Sequence, residues 1–198
     1  MAVRFLFAIV MAIAIGLTAA PATAQLSDGT QFMKAIKERD VAKALALISQ
    51  PGSVVINTKD GAGDTALHLM VRDRDAIWVG YLLGQGARPD VQDKNGMTPL
   101  ALAAQIGWTE GADRLLRGRA KVDMPNNQGE TPLILAVHNR DIAMVRLLLS
   151  RGADPKRADT VSGQSALDYA KRDGRAPAMV KLLEEPPAAA AKTQGPKL

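Results

Sequence analysis

The chain has 198 residues, enough for one domain or at most two, and with 47% hydrophobic and 23% charged residues it is too apolar to be wholly disordered. The absence of cysteine excludes disulfide scaffolds, cysteine-ligated zinc, iron–sulfur clusters and thiol catalysis. Two histidines and 4% aromatics leave little material for a metal centre or a base-stacking platform, and Lys+Arg 25 against Asp+Glu 20 gives a mild +5.

Taken in chain order, the first feature is a leader. Met1 to Arg4 carries one positive charge, Phe5 to Leu17 is an apolar run of 13 residues, and small residues then end in Ala22-Thr23-Ala24. This pattern predicts a signal peptide over 1–24, cleaved after Ala24. The run falls short of the about 20 residues a membrane-spanning helix needs, so a retained anchor is the alternative reading. Cleavage removes Arg4 and no acid, lowering +5 to +4. The mature chain is expected to be soluble and periplasmic, without stable membrane insertion. A chain with no thiols to protect suits an oxidising compartment.

Past residue 58 the sequence repeats itself. The segments Gly63-Asp64-Thr65-Ala66-Leu67-His68, Gly96-Met97-Thr98-Pro99-Leu100, Gly129-Glu130-Thr131-Pro132-Leu133 and Gly163-Gln164-Ser165-Ala166-Leu167 align. Their hydroxyl residues are spaced by 33, 33 and 34, and 17 residues after each comes a leucine pair: Leu82-Leu83, Leu115-Leu116, Leu148-Leu149 and Leu182-Leu183. Each column has a physical reading. The hydroxyls cap a helix, and Pro99 and Pro132 take the first helical position, where a missing N–H costs nothing. Asp75 and Asp141 are placed to cap a second helix, apolar at spacings of three and four. Gly86 and Gly152 suit a left-handed helix terminus. Each unit is therefore helix–turn–helix plus a polar loop, and none buries its apolar face alone.

At these residues the chain resembles the ankyrin-repeat family, whose period is about 33 residues and whose signature is T-P-L-H-x-A. The resemblance implies an all-α fold, a solenoid of stacked helix–turn–helix units with loop or β-turn tips, over 25–184. Its repeats would be 59–91, 92–124, 125–157 and 158–184, with 30–58 a degenerate N-terminal cap whose first helix is Phe32 to Lys37. Residues 185–198, with Pro186-Pro187, Ala188 to Ala191 and Gly195-Pro196, read as a disordered tail. Two departures stand out. Arg119 replaces the closing glycine, which suggests a corner reshaped around Gly118, and Val161 sits in a loop one residue longer.

The chemistry-bearing residues point to binding, not catalysis. The resemblance gives His68 a structural hydrogen bond between neighbouring loops and turns His138 toward the concave groove. The histidines lie two repeats apart, too far at about 10 Å per layer to share a metal. Nucleophile, zincin and phosphate-loop motifs are missing from the sequence. Asp60, Asp64, Asp90, Asp93 and Asp123 recur in loops without calcium-loop spacing, so turns and caps account for them. Basic residues gather at Arg114, Arg117, Arg119 and Lys121, and again at Arg146, Arg151, Lys156 and Arg157. They read as a patch for an anionic polymer or as cations favoured at helix C-termini. Trp78 reads as a packing residue, and Trp108 as packed or exposed.

The leading reading is a non-enzymatic protein–protein interaction module of the bacterial periplasm. It is expected to be monomeric, to need no cofactor or metal, and to bind a protein and no nucleic acid. The alternatives are a basic surface holding an anionic envelope polymer and an accessory subunit of a periplasmic enzyme. In the family's geometry, Lys59, Asp64, Gln92, Lys94, Asn95, Met97, Asn127, Gln128 and Glu130 fall at the loop tips. Arg72, Asp73, Gln105, Ile106, His138 and Asn139 fall on the first helices beside them. Met97 and Ile106 are expected to be exposed and to form a small apolar hot spot with a polar rim.

Overall fold

The capping hydroxyl sets the start of each first helix. In the computed structural model, which describes residues 22–174 and 176–185, the Thr98 hydroxyl accepts the N–H of Ala101 at 3.1 Å. Thr131 accepts that of Ile134 at 3.3 Å and Ser165 that of Asp168 at 3.2 Å. At Thr65 the partner is His68, whose Nδ1 accepts the Thr65 N–H at 3.1 Å and lies 2.9 Å from its hydroxyl. Among the described residues, three of the five second helices begin on aspartates, Asp75 and Asp141 as expected and Asp40 besides, which accept the N–H groups of Trp78, Met144 and Lys43. Ten helices result among the described residues: α1 (Ala22–Glu38), α2 (Val41–Ile48), α3 (Ala66–Arg72), α4 (Ala76–Gly84), α5 (Pro99–Gln105), α6 (Thr109–Arg117), α7 (Pro132–His138), α8 (Ile142–Ser150), α9 (Ala166–Asp173) and α10 (Pro177–Glu184). The expected cap helix, Phe32 to Lys37, lies inside the longer α1. The expected leader and tail fall outside the described residues, save 22–24 and 185.

The helices stack in two layers. The first helices α1, α3, α5, α7 and α9 pack one on the next, and so do α4, α6, α8 and α10. Alanines and leucines between the layers carry the core: Leu100, Ala101, Ala103 and Ala104 of α5 and Leu133, Ile134 and Ala136 of α7 have no exposed surface. From the second helices come Leu47, Leu82, Leu115, Leu148 and Leu183, each seven residues after its cap position. In the last repeat the second member of the leucine pair is thus the buried one. α9 is a residue longer than α3, α5 and α7, so α10 enters one position later and Leu182 stays partly exposed.

Hydrogen bonds tie the loops of neighbouring repeats at fixed period. The N–H groups of Lys94, Asn127 and Thr160 donate to the carbonyls of Ala62, Asn95 and Gln128. On the opposite loops Asn57, Asp90 and Asp123 accept the N–H groups of Arg88, Lys121 and Asp154. Within each tip, Asp60, Asp93, Asn126 and Asp159 accept from backbone N–H groups two to four residues on, closing Asx-type turns. Of the recurring loop acids, Asp60 and Asp93 are therefore turn formers as expected, whereas Asp90 and Asp123 join neighbouring repeats and Asp64 pairs with Arg72.

Two expectations need correction or completion. Gly118 does not reshape its corner: it keeps an ordinary φ of −74°, while Arg119 itself adopts the left-handed φ of 66°. The corner keeps its shape because Arg119 N and Ala120 N still bond the carbonyls of Leu116 and Leu115. Trp108, open between packed and exposed, is packed at 7% exposure and occupies the cap position that aspartate holds in other repeats.

Candidate partner-binding groove

The face built from the loop tips and first helices carries two adjoining clefts. The one at the middle repeats encloses about 450 Å³ and is lined by Arg72, Asn95, Gln105, Asn127, Gln128 and Glu130 among others. Of the fifteen residues expected on this face, ten are exposed: Lys59, Arg72, Asp73, Lys94, Asn95, Gln105, Asn127, Gln128, His138 and Asn139. Gln92, Ile106 and Glu130 are half-buried.

Met97 and Asp64 are not surface residues. Met97 is 7% exposed and lines the floor of the cleft, beneath the tip of the next repeat. Its carbonyl lies 2.9 Å from His68 Nε2 and also accepts the Asp93 N–H, while Asn126 Nδ2 lies 3.6 Å from its sulfur. Ile106 packs its side chain against the core and gives its carbonyl to Arg74 at 2.6 Å. The expected apolar hot spot therefore does not form. The cause is positional: the residue before each capping hydroxyl closes the tip turn, so its side chain points inward. Asp64, in the same column, is 3% exposed and receives both terminal nitrogens of Arg72. Arg72 is held more firmly in its charged form, first by that hydrogen bond.

His68 plays the expected part. Because Nδ1 accepts an N–H, the ring proton sits on Nε2 and is donated to the Met97 carbonyl. Burial lowers its pKa, only partly offset by the Met97 bond, which keeps the ring neutral at pH 7.

The polar side chains of the face divide by their commitments. Lys59 donates to the Gln92 carbonyl, Gln92 to those of Gly96 and Pro125, and Asn127 to that of Lys94. Asn139 donates to the Ala104 and Gln105 carbonyls, and Asp73 accepts from Arg39. Glu130 accepts from Asn126 and lies 3.6 Å from His138. By contrast, the side chains of Lys94, Asn95, Gln105 and Gln128 make no hydrogen bond or ion pair within the described chain, and the three carboxamides line one cleft.

The second cleft, about 340 Å³, lies between α7 and α9 and is lined by His138, Arg140, Tyr169, Arg172 and Asp173 over Val137, Ala170 and Met179. Tyr169 is its fixed point: its hydroxyl donates to Asp159 at 2.5 Å and lies 2.6 Å from Ser162 Oγ. Burial alone would raise the Asp159 pKa. The Tyr169 hydroxyl and the Ser162 and Val161 N–H groups outweigh it and bring it down to about 2. Sequence reasoning missed Tyr169, Arg172 and Asp159, although the longer loop at Val161 was the visible sign of a different tip.

The basic stripe is paired only in part, at Arg114, Arg117 and Arg151, and no ion pair holds Arg119, Lys121, Arg146, Lys156 or Arg157 among the described residues. Arg114 pairs with Glu110 at 3.0 Å, and Asp113 takes Arg117 at 2.8 Å and Arg151 at 2.5 Å. No group of three or more metal-ligating side chains occurs among the described residues, and no helix there is long and apolar enough to cross a membrane.

Two-layer stacks of helix–turn–helix units, joined tip to tip at fixed period, define a repeat solenoid. A family model of ankyrin repeats, in three copies, matches residues 76–159. The chain is similar to an ankyrin repeat-containing protein of Treponema pallidum (strain Nichols), 37% identical over 114 residues, which are 57% of this chain and 38% of that protein. It is also similar to Neurogenic locus notch homolog protein 1 of Danio rerio, 37% identical over 134 residues, or 67% of this chain and 6% of that one. The Nuclear factor NF-kappa-B p105 subunit of Gallus gallus is 29% identical over 138 residues, 66% of this chain and 14% of the subunit. The chain thus spans well under half the length of each of these relatives. Together with the fold, these matches make the chain an ankyrin-repeat protein. Ankyrin repeats are in general non-enzymatic modules of protein–protein interaction.

Proposed function

We propose that this protein is a non-enzymatic binding module, exported to the periplasm, that holds a protein partner in the groove of its loop tips and first helices. The observation that carries the reading is the trio Asn95, Gln105 and Gln128. These exposed carboxamides line one cleft, while their polar neighbours are engaged in joining repeat to repeat. A carboxamide both donates and accepts, so three free ones complement the peptide groups of a partner. Arg114 and Arg117 each already face a carboxylate, which lowers their weight in anion binding, and the stripe is kept as the rival site in the test below.

The test uses the mature chain as bait in periplasmic extract, with captured protein identified by mass spectrometry. Replacing Asn95, Gln105 and Gln128 together by alanine should weaken capture by about 1–2 kcal/mol with the melting temperature unchanged. Capture that survives this variant but is lost in Arg114→Glu/Arg117→Glu moves the site to the basic stripe. Export is checked by sequencing the N-terminus of the fractionated protein. A start at Gln25 in the periplasmic fraction supports it, and a start at Met1 in the membrane fraction overturns it.

A further inference from the structure

The arginines along the turns between first and second helices are nearly all spoken for. Arg39 pairs with Asp73 and Asp75 at 2.9 Å, Arg74 donates to the Ile106 carbonyl, and Arg140 makes a two-pronged contact with Asp173 at 2.6 and 2.7 Å. Arg72, one turn back, belongs to Asp64. Arg172 breaks the pattern. It lines the cleft between α7 and α9, is exposed, and has no carboxylate partner among the described residues. Its guanidinium carbon instead lies 5.1 Å from the centre of the Tyr169 ring.

That ring is a rigid platform. Its hydroxyl is held by Asp159 and Ser162, and the His138 ring meets it edge-on at 4.5 Å and 83°. A guanidinium stacked on a fixed ring loses little freedom when it takes up a ligand, and its planar fork matches a carboxylate. Directly beside it, Val137, Ala170 and Met179 form an apolar floor. With Arg140 cancelled by Asp173, Arg172 leaves an uncancelled positive charge among the described residues of the rim, next to an apolar seat.

We propose that this cleft is the specificity pocket of the groove: it receives an extended partner segment in which an aspartate or glutamate side chain stands beside an apolar one. Arg172 takes the carboxylate and the Val137–Ala170–Met179 floor takes the apolar neighbour. The pocket rests on the groove reading above and adds to it the chemistry of the partner. The middle cleft, with its neutral carboxamides, contacts the same segment through its backbone, and the charge requirement arises only at the fourth repeat.

Selection of phage-displayed random dodecapeptides on the purified protein tests this without knowledge of the natural partner. Enriched sequences should share an aspartate or glutamate within two residues of an aliphatic side chain. Resynthesised with amidated C-termini, they should bind Arg172→Ala at least about tenfold more weakly, and Arg172→Lys, which keeps the charge but not the stacked fork, should restore only part of the loss. Unchanged melting temperatures separate lost contact from lost fold. Peptides lacking an acid, or binding Arg172→Ala as tightly as the parent, overturn the pocket. If such peptides are still weakened by the Asn95/Gln105/Gln128 triple alanine variant, the groove stands and only the pocket falls. If neither variant weakens them, or no peptide is enriched, both fall.

Discussion

At the scale of single residues, arginine at a left-handed backbone position recurs four times, at Arg39, Arg74, Arg119 and Arg140. An L-residue there is strained by about 1–2 kcal/mol. Three of the four offset the strain by reaching a group of the next repeat: Asp73 and Asp75, the Ile106 carbonyl, and Asp173. Arg119 is exposed and makes no such bond. Arg119→Gly should therefore stabilise the protein by up to about 1 kcal/mol in urea denaturation, the relief being reduced by glycine's looser unfolded chain. Arg74→Gly should bring no gain, and an equal gain at both positions would contradict the account. Asp159 offers a pH test. Its folded pKa of about 2 lies below the ordinary 3.8, so the charged form is the stabilising one. That stability is complete above about pH 4 and is lost as pH falls through about 2. The stability gap between the parent and Asp159→Asn should therefore narrow between pH 5 and pH 2. A gap that stays constant would show that the Tyr169 and Ser162 bonds do not favour the carboxylate.

At the scale of an element, α6 shows how one substitution is absorbed by another. Trp108 gives up the aspartate cap and buries its indole, and the room for it comes from Gly111 one turn later. A Cβ at Gly111 would lie 2.0 Å from Trp108 Cε3 and 2.2 Å from Cζ3. Gly111→Ala should accordingly cost about 1–3 kcal/mol through displacement of the indole. Gly80→Ala in α4, where the nearest neighbour of the new carbon is the Arg114 guanidinium at 3.6 Å, should instead gain about 0.5–1 kcal/mol from better helix propensity. Thermal melts of the two variants separate the explanations, since a general intolerance of alanine would lower both. The helices themselves were readable from caps and leucine pairs because those signals act within one unit. The pairing of Trp108 with Gly111 was not, since a glycine inside an amphipathic run does not say which side chain needs its space.

At the scale of the whole molecule, stability comes from neighbour on neighbour: among the described residues each helix packs mainly on its own repeat and the adjacent ones. This explains which site residues were legible. Counting from the capping hydroxyl placed Asn95, Gln105, Gln128, His138 and six further exposed residues on one face, because the period carries a position from unit to unit. It misplaced Met97 and Asp64, whose burial depends on the tip of the repeat stacked against them. It was silent on the cleft built around Tyr169, which needs Asp159 and Ser162 from a loop lengthened by one residue. From the sequence alone come the repeat, its 33-residue period, the helix starts and the ankyrin resemblance, all products of local capping and periodic burial. Only the stacked structure decides which exposed groups are already engaged by a neighbour about 33 residues away. For that reason it leaves Asn95, Gln105, Gln128 and Arg172 open to a partner, while Lys59, Asn127, Asn139 and Arg140 are occupied in holding one repeat to the next.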